Sequence, residues 1–194
     1  MGKIYCICGK SSTGKDTIYK RILSDESLSL NNIVTCTTRP IREGEVDGRE
    51  YRFITDEQAV KLEADGKVIE LRAYNTVHGI WKYMTVDDGN IDLANKDYLI
   101  IGTLESYVKC RSYFGTENIL PIYIEVDDGV RLERALEREK KQDNPKYEEM
   151  CRRFLADAKD FSNEKLEEAG IKDKFINNSL EECVEEIMEY IRNN

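Results

Sequence analysis

Histidine is almost missing from this chain: His78 is the single example in 194 residues. The six cysteines, at positions 6, 8, 36, 110, 151 and 183, contain no CxxC pair. A zinc centre therefore has little to build on, and reduced thiols are the expected state. Also lacking is any apolar run near the roughly 18 residues that a membrane span needs. Met1-Gly2-Lys3-Ile4 shows no cleavable signal pattern, and Cys6 stands where a myristoylation signal wants Ser or Thr. The expectation is a cytoplasmic protein, with no membrane partner. An excess of basic charge is missing too: 29 Lys and Arg face 38 Asp and Glu, a formal net charge of -9. Residues 148–194 carry thirteen acidic against seven basic side chains, which is -6 of that total. A generic nucleic-acid binder wants a basic face, so none is expected.

What is present is an alternation of short apolar runs and amphipathic stretches. Lys3 to Gly9 is predicted as a first strand, and Lys15 to about Ser27 as a helix with Ile18, Ile22 and Leu23 on one stripe. Asn32 to Thr37 is predicted as a second strand, followed by a charged loop from Arg39 to Gly48. Tyr51–Ile54 and Val68–Leu71 are predicted as strands flanking a helix from Asp56 to Asp65, and with Trp81–Thr85 they form a small mixed insertion. Tyr98–Gly102 and Ile119–Val126 have the length and apolarity of buried parallel strands, separated by a helix from Leu104 to Phe114. Helices from Val130 to Lys141 and from Tyr147 to Ala169 follow, then a last strand at Lys174–Asn177 and a closing helix from Leu180 to Ile191. Such alternation implies an α/β protein with a parallel central sheet and helices on both faces. Ligands of such sheets bind outside the carboxyl ends of the strands.

Two motifs carry chemistry. Gly9-Lys10-Ser11-Ser12-Thr13-Gly14-Lys15-Asp16-Thr17 fits the phosphate-binding loop G-x-x-x-x-G-K-[ST] at every position but one, with a strand before it and a helix after it. Glycines let backbone N–H groups converge on phosphate oxygens, the helix presents its positive end, and Lys15 adds a point charge. Asp16 stands where Ser or Thr normally offers a hydroxyl to Mg²⁺, so Asp16 or Thr17 is the expected metal ligand. The second motif is Thr37-Thr38-Arg39-Pro40-Ile41-Arg42-Glu43-Gly44-Glu45-Val46-Asp47-Gly48-Arg49-Glu50-Tyr51-Arg52-Phe53. Two arginines three apart beside a tyrosine can clamp one phosphate by bidentate hydrogen bonds. A solvated charged loop is the plainer reading of the same residues.

That second run is similar, almost position for position, to the guanylate kinase signature T-T-R-P-x-R-x-G-E-x-x-G-x-x-Y-x-F, and with the phosphate-binding loop the chain resembles that family over essentially its whole length. The resemblance implies a three-layer P-loop nucleoside monophosphate kinase fold: a core of residues 1–34 and 88–194, a monophosphate-binding insertion at 35–87, and a lid at 139–150. It implies reversible phosphoryl transfer from MgATP to GMP, with Mg²⁺ as the cofactor, ATP and GMP as partners, and a monomer or homodimer. Arg39, Arg42 and Tyr51 would hold the GMP phosphate, Thr35 or Cys36 would lie near the base, and Glu70 would accept hydrogen bonds from guanine N1 and N2. Trp81-Lys82-Tyr83-Met84-Thr85 replaces the family's Y-Y-G-T, with Tyr83 and Thr85 as candidates for its roles. Thr103 stands nearest to the missing D-x-Q-G acid, with Glu105 as a stand-in. Arg134, Arg138 and Arg153 match lid arginines, unless they belong to a salt-bridged surface with Glu133, Glu137 and Glu139, and Asn177 falls where the family contacts adenine. The departures leave two other readings: a kinase of this fold for another small phosphorylated acceptor, and a non-catalytic guanylate-kinase-like module. If position 16 is a plain metal-ligand slot, Asp16→Ser leaves phosphoryl transfer intact or raises it. Total loss of activity in a steady-state assay would give Asp16 a distinct role.

Overall fold

The computed structural model describes residues 1–42, 44–76 and 79–194; Glu43 of the arginine motif and His78 lie outside the described residues. The central sheet has five parallel strands: β1 (Ile4–Cys8), β2 (Asn31–Asn32), β7 (Tyr98–Ile101), β8 (Ile119–Glu125) and β9 (Phe175–Ile176), in the spatial order β2-β7-β1-β8-β9. β1 lies in the middle, paired Ile4 to Tyr98 on one side and Ile4 to Ile119 on the other. Every residue of it is buried.

Strand alternation divides the core in two. Ile4, Cys6 and Cys8 point to one face with Tyr98, Ile100 and Tyr123, where they meet α3 (Leu104–Phe114) through Leu104, Tyr107 and Cys110. Tyr5 and Ile7 point to the other with Leu99, Ile122 and Ile124, and pack on Ile18 and Ile22 of α1 (Lys15–Leu23) and on Val184, Ile187 and Ile191 of α7 (Leu180–Arg192). Helix, sheet and helix thus make three layers. Cys6 and Cys8 share a face as small buried hydrophobes, and burial pushes the Cys8 thiol up to about 12.

A second sheet runs β4-β3-β6-β5, with β3 (Cys36–Thr37), β4 (Arg52–Phe53), β5 (Val68–Thr76) and β6 (Gly79–Val86); β3 and β4 are parallel and the other pairs antiparallel. α2 (Asp56–Ala64) begins with a capping box between Thr55 and Gln58 and covers one face of this sheet through Ala59 and Leu62, against Cys36, Met84 and Val86.

Two predicted elements are split. The run Asn32–Thr37 is not one strand: Asn31–Asn32 pairs with β7 in the central sheet and Cys36–Thr37 belongs to the second sheet. The stretch between them is where the chain leaves one sheet for the other, so an apolar run that reads as continuous serves two partners. The helix predicted from Tyr147 to Ala169 is α5 (Tyr147–Asp160) followed by α6 (Asn163–Glu168). Phe161 is buried at the break and Ser162 caps α6, its hydroxyl accepting the Lys165 N–H at 3.3 Å. Leu166 and Ala169 still reach the core beside Phe161, which is why the periodicity runs through the break. Between β8 and α5 lies α4 (Asp128–Lys140).

Ile122 sits fully buried in β8 between β1 and β9. Ile122→Ala is expected to lower unfolding free energy by about 2–5 kcal/mol, read as a shift of the urea midpoint at unchanged slope.

Candidate functional site

The first motif folds into the turn its glycines require. Gly14 has φ 86°, and a Cβ there would stand 2.5 Å from the Asn177 amide nitrogen. A Cβ on Gly9 would stand 2.6 Å from the Ile124 carbonyl oxygen. Ser12 takes φ 65°, an uncommon left-handed backbone for a residue with a side chain, and its buried hydroxyl has no partner among the described residues. Asn177 donates to the Thr13 carbonyl at 2.7 Å, tying the last strand to the loop. Lys15 lies across the turn, its ammonium 3.4 Å from the Lys10 carbonyl. Burial draws its pKa down, while Asp16 and Asp157 oppose that shift. Asp16 and Thr17 are exposed in the first turn of α1.

The loop is held from behind by a buried guanidinium. Arg131 of α4 is 1% exposed and lies over the Phe154 ring. Its Nε donates to the Ser11 carbonyl at 2.9 Å, Nη2 donates to Asp157 of α5 at 2.9 Å, and Nη1 pairs with Asp128. The same Asp157 carboxylate accepts the Ser11 N–H at 2.7 Å. Both polar groups of one peptide position are thus fixed by one ion pair that also joins α4 to α5.

The second motif forms the opposite wall. Arg39 is 4% exposed, and its two terminal nitrogens grip Glu45 at 2.7 and 2.5 Å. Its guanidinium lies 4.9 Å from the centre of the Tyr51 ring and 5.3 Å from that of Phe53. Glu45 also accepts the Arg42 N–H, and the Arg39 hydrogen bonds hold its carboxyl well down, to about 2. The Arg42 side chain is exposed. Tyr51 meets Tyr83 edge to face at 5.6 Å. Burial raises the Tyr51 phenol, with further contributions from Tyr83 and from the Asp16 charge. Lys20 of α1 reaches Glu50 at 3.7 Å, a contact between the helix after the first motif and the second motif.

A bulge sets the inner end of that wall. Val68 pairs with Val86 but Glu70 with Thr85, a register shift that turns Glu70 away from the small core under α2. Beyond it Glu70, Arg72 and Tyr74 pair with Thr85, Tyr83 and Trp81, and strand alternation puts all six on one face. The Glu70 carboxylate accepts from Thr85 at 2.9 Å and is gripped by Arg72 at 3.0 and 3.1 Å. Arg72 also reaches Thr103 at 3.4 Å, where that threonine caps α3. Thr35 is buried just before β3. Glu105 is exposed and paired with Lys109, away from this cluster.

Of the arginines on α4 and α5, Arg153 donates to the Ser11 hydroxyl at 3.3 Å and Arg134 to the Asn177 carbonyl at 3.4 Å, both at the phosphate loop. Arg138 is exposed on α4. Among the described residues none of the three is in an ion pair, so the salt-bridged surface is not what they form. Glu139 is buried instead, accepting the Lys146 N–H and the Gln142 amide and so closing the 141–146 turn.

Four residues at this site were given no role by the motifs. Arg72 was within reach of sequence reasoning, because it lies two residues after Glu70 in a strand and must share its face. Glu45 stood inside the second motif without a role. Arg131 and Asp157 have no local signal: their partner, Ser11, is 120 and 146 positions away.

A guanylate kinase family model matches residues 1–82, which contain both motifs. The guanylate kinase of Thermotoga maritima is 29% identical, over 98% of this chain and 86% of that protein. That of Mycoplasmoides gallisepticum is also 29% identical, over 98% of this chain and 92% of that one. The crystal structure of guanylate kinase from Anaplasma phagocytophilum superposes with a TM-score of 0.64 over 99% of this chain and 85% of its own, at 21% identity, and so shares the fold. No helix among the described residues is long and apolar enough to cross a membrane. With a phosphate loop and an arginine-tyrosine motif on this fold, and with relatives that span nearly its full length, the chain is similar to guanylate kinases throughout and is a phosphotransferase of guanylate kinase type.

Proposed function

We propose that the protein transfers the γ-phosphoryl group of MgATP to GMP, giving ADP and GDP. The observation that carries this reading is the approach of the two motifs: the Lys20–Glu50 pair links the helix that begins at Lys15 to the segment that carries Arg39 and Tyr51. Phosphoryl transfer asks a protein for positioning and charge neutralisation more than for covalent chemistry, and both walls are supplied for that. Residues 9–17 bind the donor phosphates through backbone N–H groups, Lys15 and the Ser12 hydroxyl, which has no partner among the described residues. Arg134 and Asn177 extend the donor site towards adenine. Arg39, Arg42 and Tyr51 hold the acceptor phosphate, with Glu45 and the two aromatic rings keeping the Arg39 guanidinium in place. Thr35, Glu70, Tyr83, Thr85 and Thr103 line the acceptor side. Residues 35–87 act as the acceptor-binding insertion and 139–150 as the lid, whose movement brings Arg138 and Arg153 over the transferring group and excludes water.

Mg²⁺ fits the donor set. Asp16 offers a carboxylate and Thr17 a hydroxyl, both exposed at the start of α1, and a hard cation of this kind takes one or two protein oxygens beside phosphate oxygens. When bound it neutralises charge on the β- and γ-phosphates.

The test is ADP production from MgATP with GMP, dGMP, AMP, CMP, UMP and IMP. GMP is expected to be turned over, and Lys15→Ala to lose transfer by at least about 100-fold while remaining folded by circular dichroism. Retention of activity in Lys15→Ala, or no turnover of any monophosphate by the wild type, would overturn the reading. Glu45 gives a second test. Its carboxyl titrates at about 2 in the folded chain against 4.5 ordinarily. Its contribution to stability is therefore complete above about pH 4.5 and lost as pH falls towards 2. Glu45→Gln is expected to be less stable at neutral pH, with the difference from wild type shrinking through that window in urea titrations; a pH-independent difference would exclude the carboxylate as its source.

A further inference from the structure

We propose that Arg72 is a specificity-determining residue of the acceptor site, and that with Glu70 it reads the lactam edge of a 6-oxopurine, the ring C=O beside one N–H, without reading a 2-amino group. This rests on the monophosphate kinase reading given above. It comes from counting the hydrogen bonds of one carboxylate. A reader of guanine N1–H and N2–H₂ has to offer two free acceptor positions. Glu70 has about four in all. One Glu70 oxygen accepts from the Thr85 hydroxyl at 2.9 Å and from Arg72 Nη2 at 3.1 Å; the other accepts Arg72 Nε at 3.0 Å. Three positions are filled among the described residues, and one remains.

Exposure agrees with that count. The Glu70 side chain is 0% exposed and the Arg72 side chain 10%. Arg72 is therefore the more exposed member of the pair. Arg72 sits opposite Tyr83 in the β5–β6 register, on the face shared with Tyr51, and extends Nη1 to Thr103 at 3.4 Å. A guanidinium has five N–H donors, and the contacts to Glu70, Thr103 and Tyr74 leave one to spare. The carbonyl oxygen at C6 is an acceptor well suited to such a donor. The 6-oxo group then goes to Arg72, the N1–H takes the last position on Glu70, and the 2-amino group finds no acceptor there. Opening a second position would mean pulling apart a buried ion pair, which is strongly unfavourable. Adenine presents the reverse pattern, an amino group towards Arg72 and a bare nitrogen towards Glu70, and is rejected on both counts.

The consequence is near-equal use of GMP and IMP, since a site that bonds a polar group rejects an analogue lacking it by 10⁴-fold or more, whereas a site that ignores the group does not. The experiment measures kcat/KM for GMP, IMP and AMP at saturating MgATP. For the wild type a GMP to IMP ratio within about tenfold is expected, with AMP at least about 100-fold below both. Arg72→Leu frees two positions on Glu70 and is expected to raise the GMP to IMP ratio by about tenfold or more, with Arg72→Lys in between. A wild-type preference for GMP above about 100-fold would overturn the proposal while leaving the GMP kinase reading intact. A tolerant wild type whose ratio Arg72→Leu does not change would remove Arg72 as the cause. No turnover of any monophosphate would overturn both readings. If Arg72→Leu does not fold, the wild-type ratio and Arg72→Lys decide.

Discussion

A phosphate-binding loop has to keep its backbone N–H groups converging before any phosphate arrives to hold them, and here Arg131 supplies the restraint. Its guanidinium is almost wholly buried, an expensive place for a charge unless it is paired and hydrogen-bonded. Asp128 and Asp157 balance the charge, the Ser11 carbonyl takes Nε, and the Phe154 ring covers the face. Asp157 then turns its second function outward, accepting the Ser11 N–H. The loop, α4 and α5 become one unit through four side chains. Because α4 and α5 carry the turn at 141–146 and the arginines around it, the phosphate loop and the proposed lid share an anchor.

The opposite wall depends on a different device. In the second sheet, one face must pack under α2 and the other must stay polar towards the cleft. The bulge between Val68 and Glu70 makes that possible within a strand whose plain alternation would have kept Val68 and Glu70 on the same side. Val68 packs under α2, Glu70 turns inward beside Thr85, and Arg72 and Tyr74 follow on the same face. Both arginines of this wall, Arg39 and Arg72, are paired with a carboxylate and placed near tyrosine rings. Oriented in this way they lose little further side-chain freedom when a nucleotide is bound, which is the physical meaning of preorganisation.

The contrast between the two walls explains how much was legible beforehand. The phosphate loop and the helix after it follow from local rules: Gly9 and Gly14 are required by close approach of Ile124 and Asn177, and Lys15 opens the helix. The arginine motif is local too, and Arg39, Tyr51 and Phe53 come together within fifteen residues. The three-layer core follows from period-two apolar strands such as β1, whose alternate residues feed two separate clusters. The residues that escaped act across long separations, as Arg131 and Asp157 do on Ser11, or across a bulge that periodicity does not show.

By itself the sequence determined the fold class, the phosphate loop and the arginine-tyrosine motif, because each is written in spacings of a few residues that sterics and backbone hydrogen bonding enforce locally. It could not say that Asn32–Thr37 is shared between two sheets, nor that Phe161 and Ser162 interrupt a helix whose periodicity continues past them. Tertiary structure alone decided which acid meets which base. Glu45 went to Arg39, Asp157 to Arg131 and Glu70 to Arg72, while Arg134, Arg138 and Arg153 were left without carboxylate partners among the described residues. Those pairings set the charge presented to a nucleotide, and that of Asp157 with Arg131 depends on a distance between two helices that no local spacing contains.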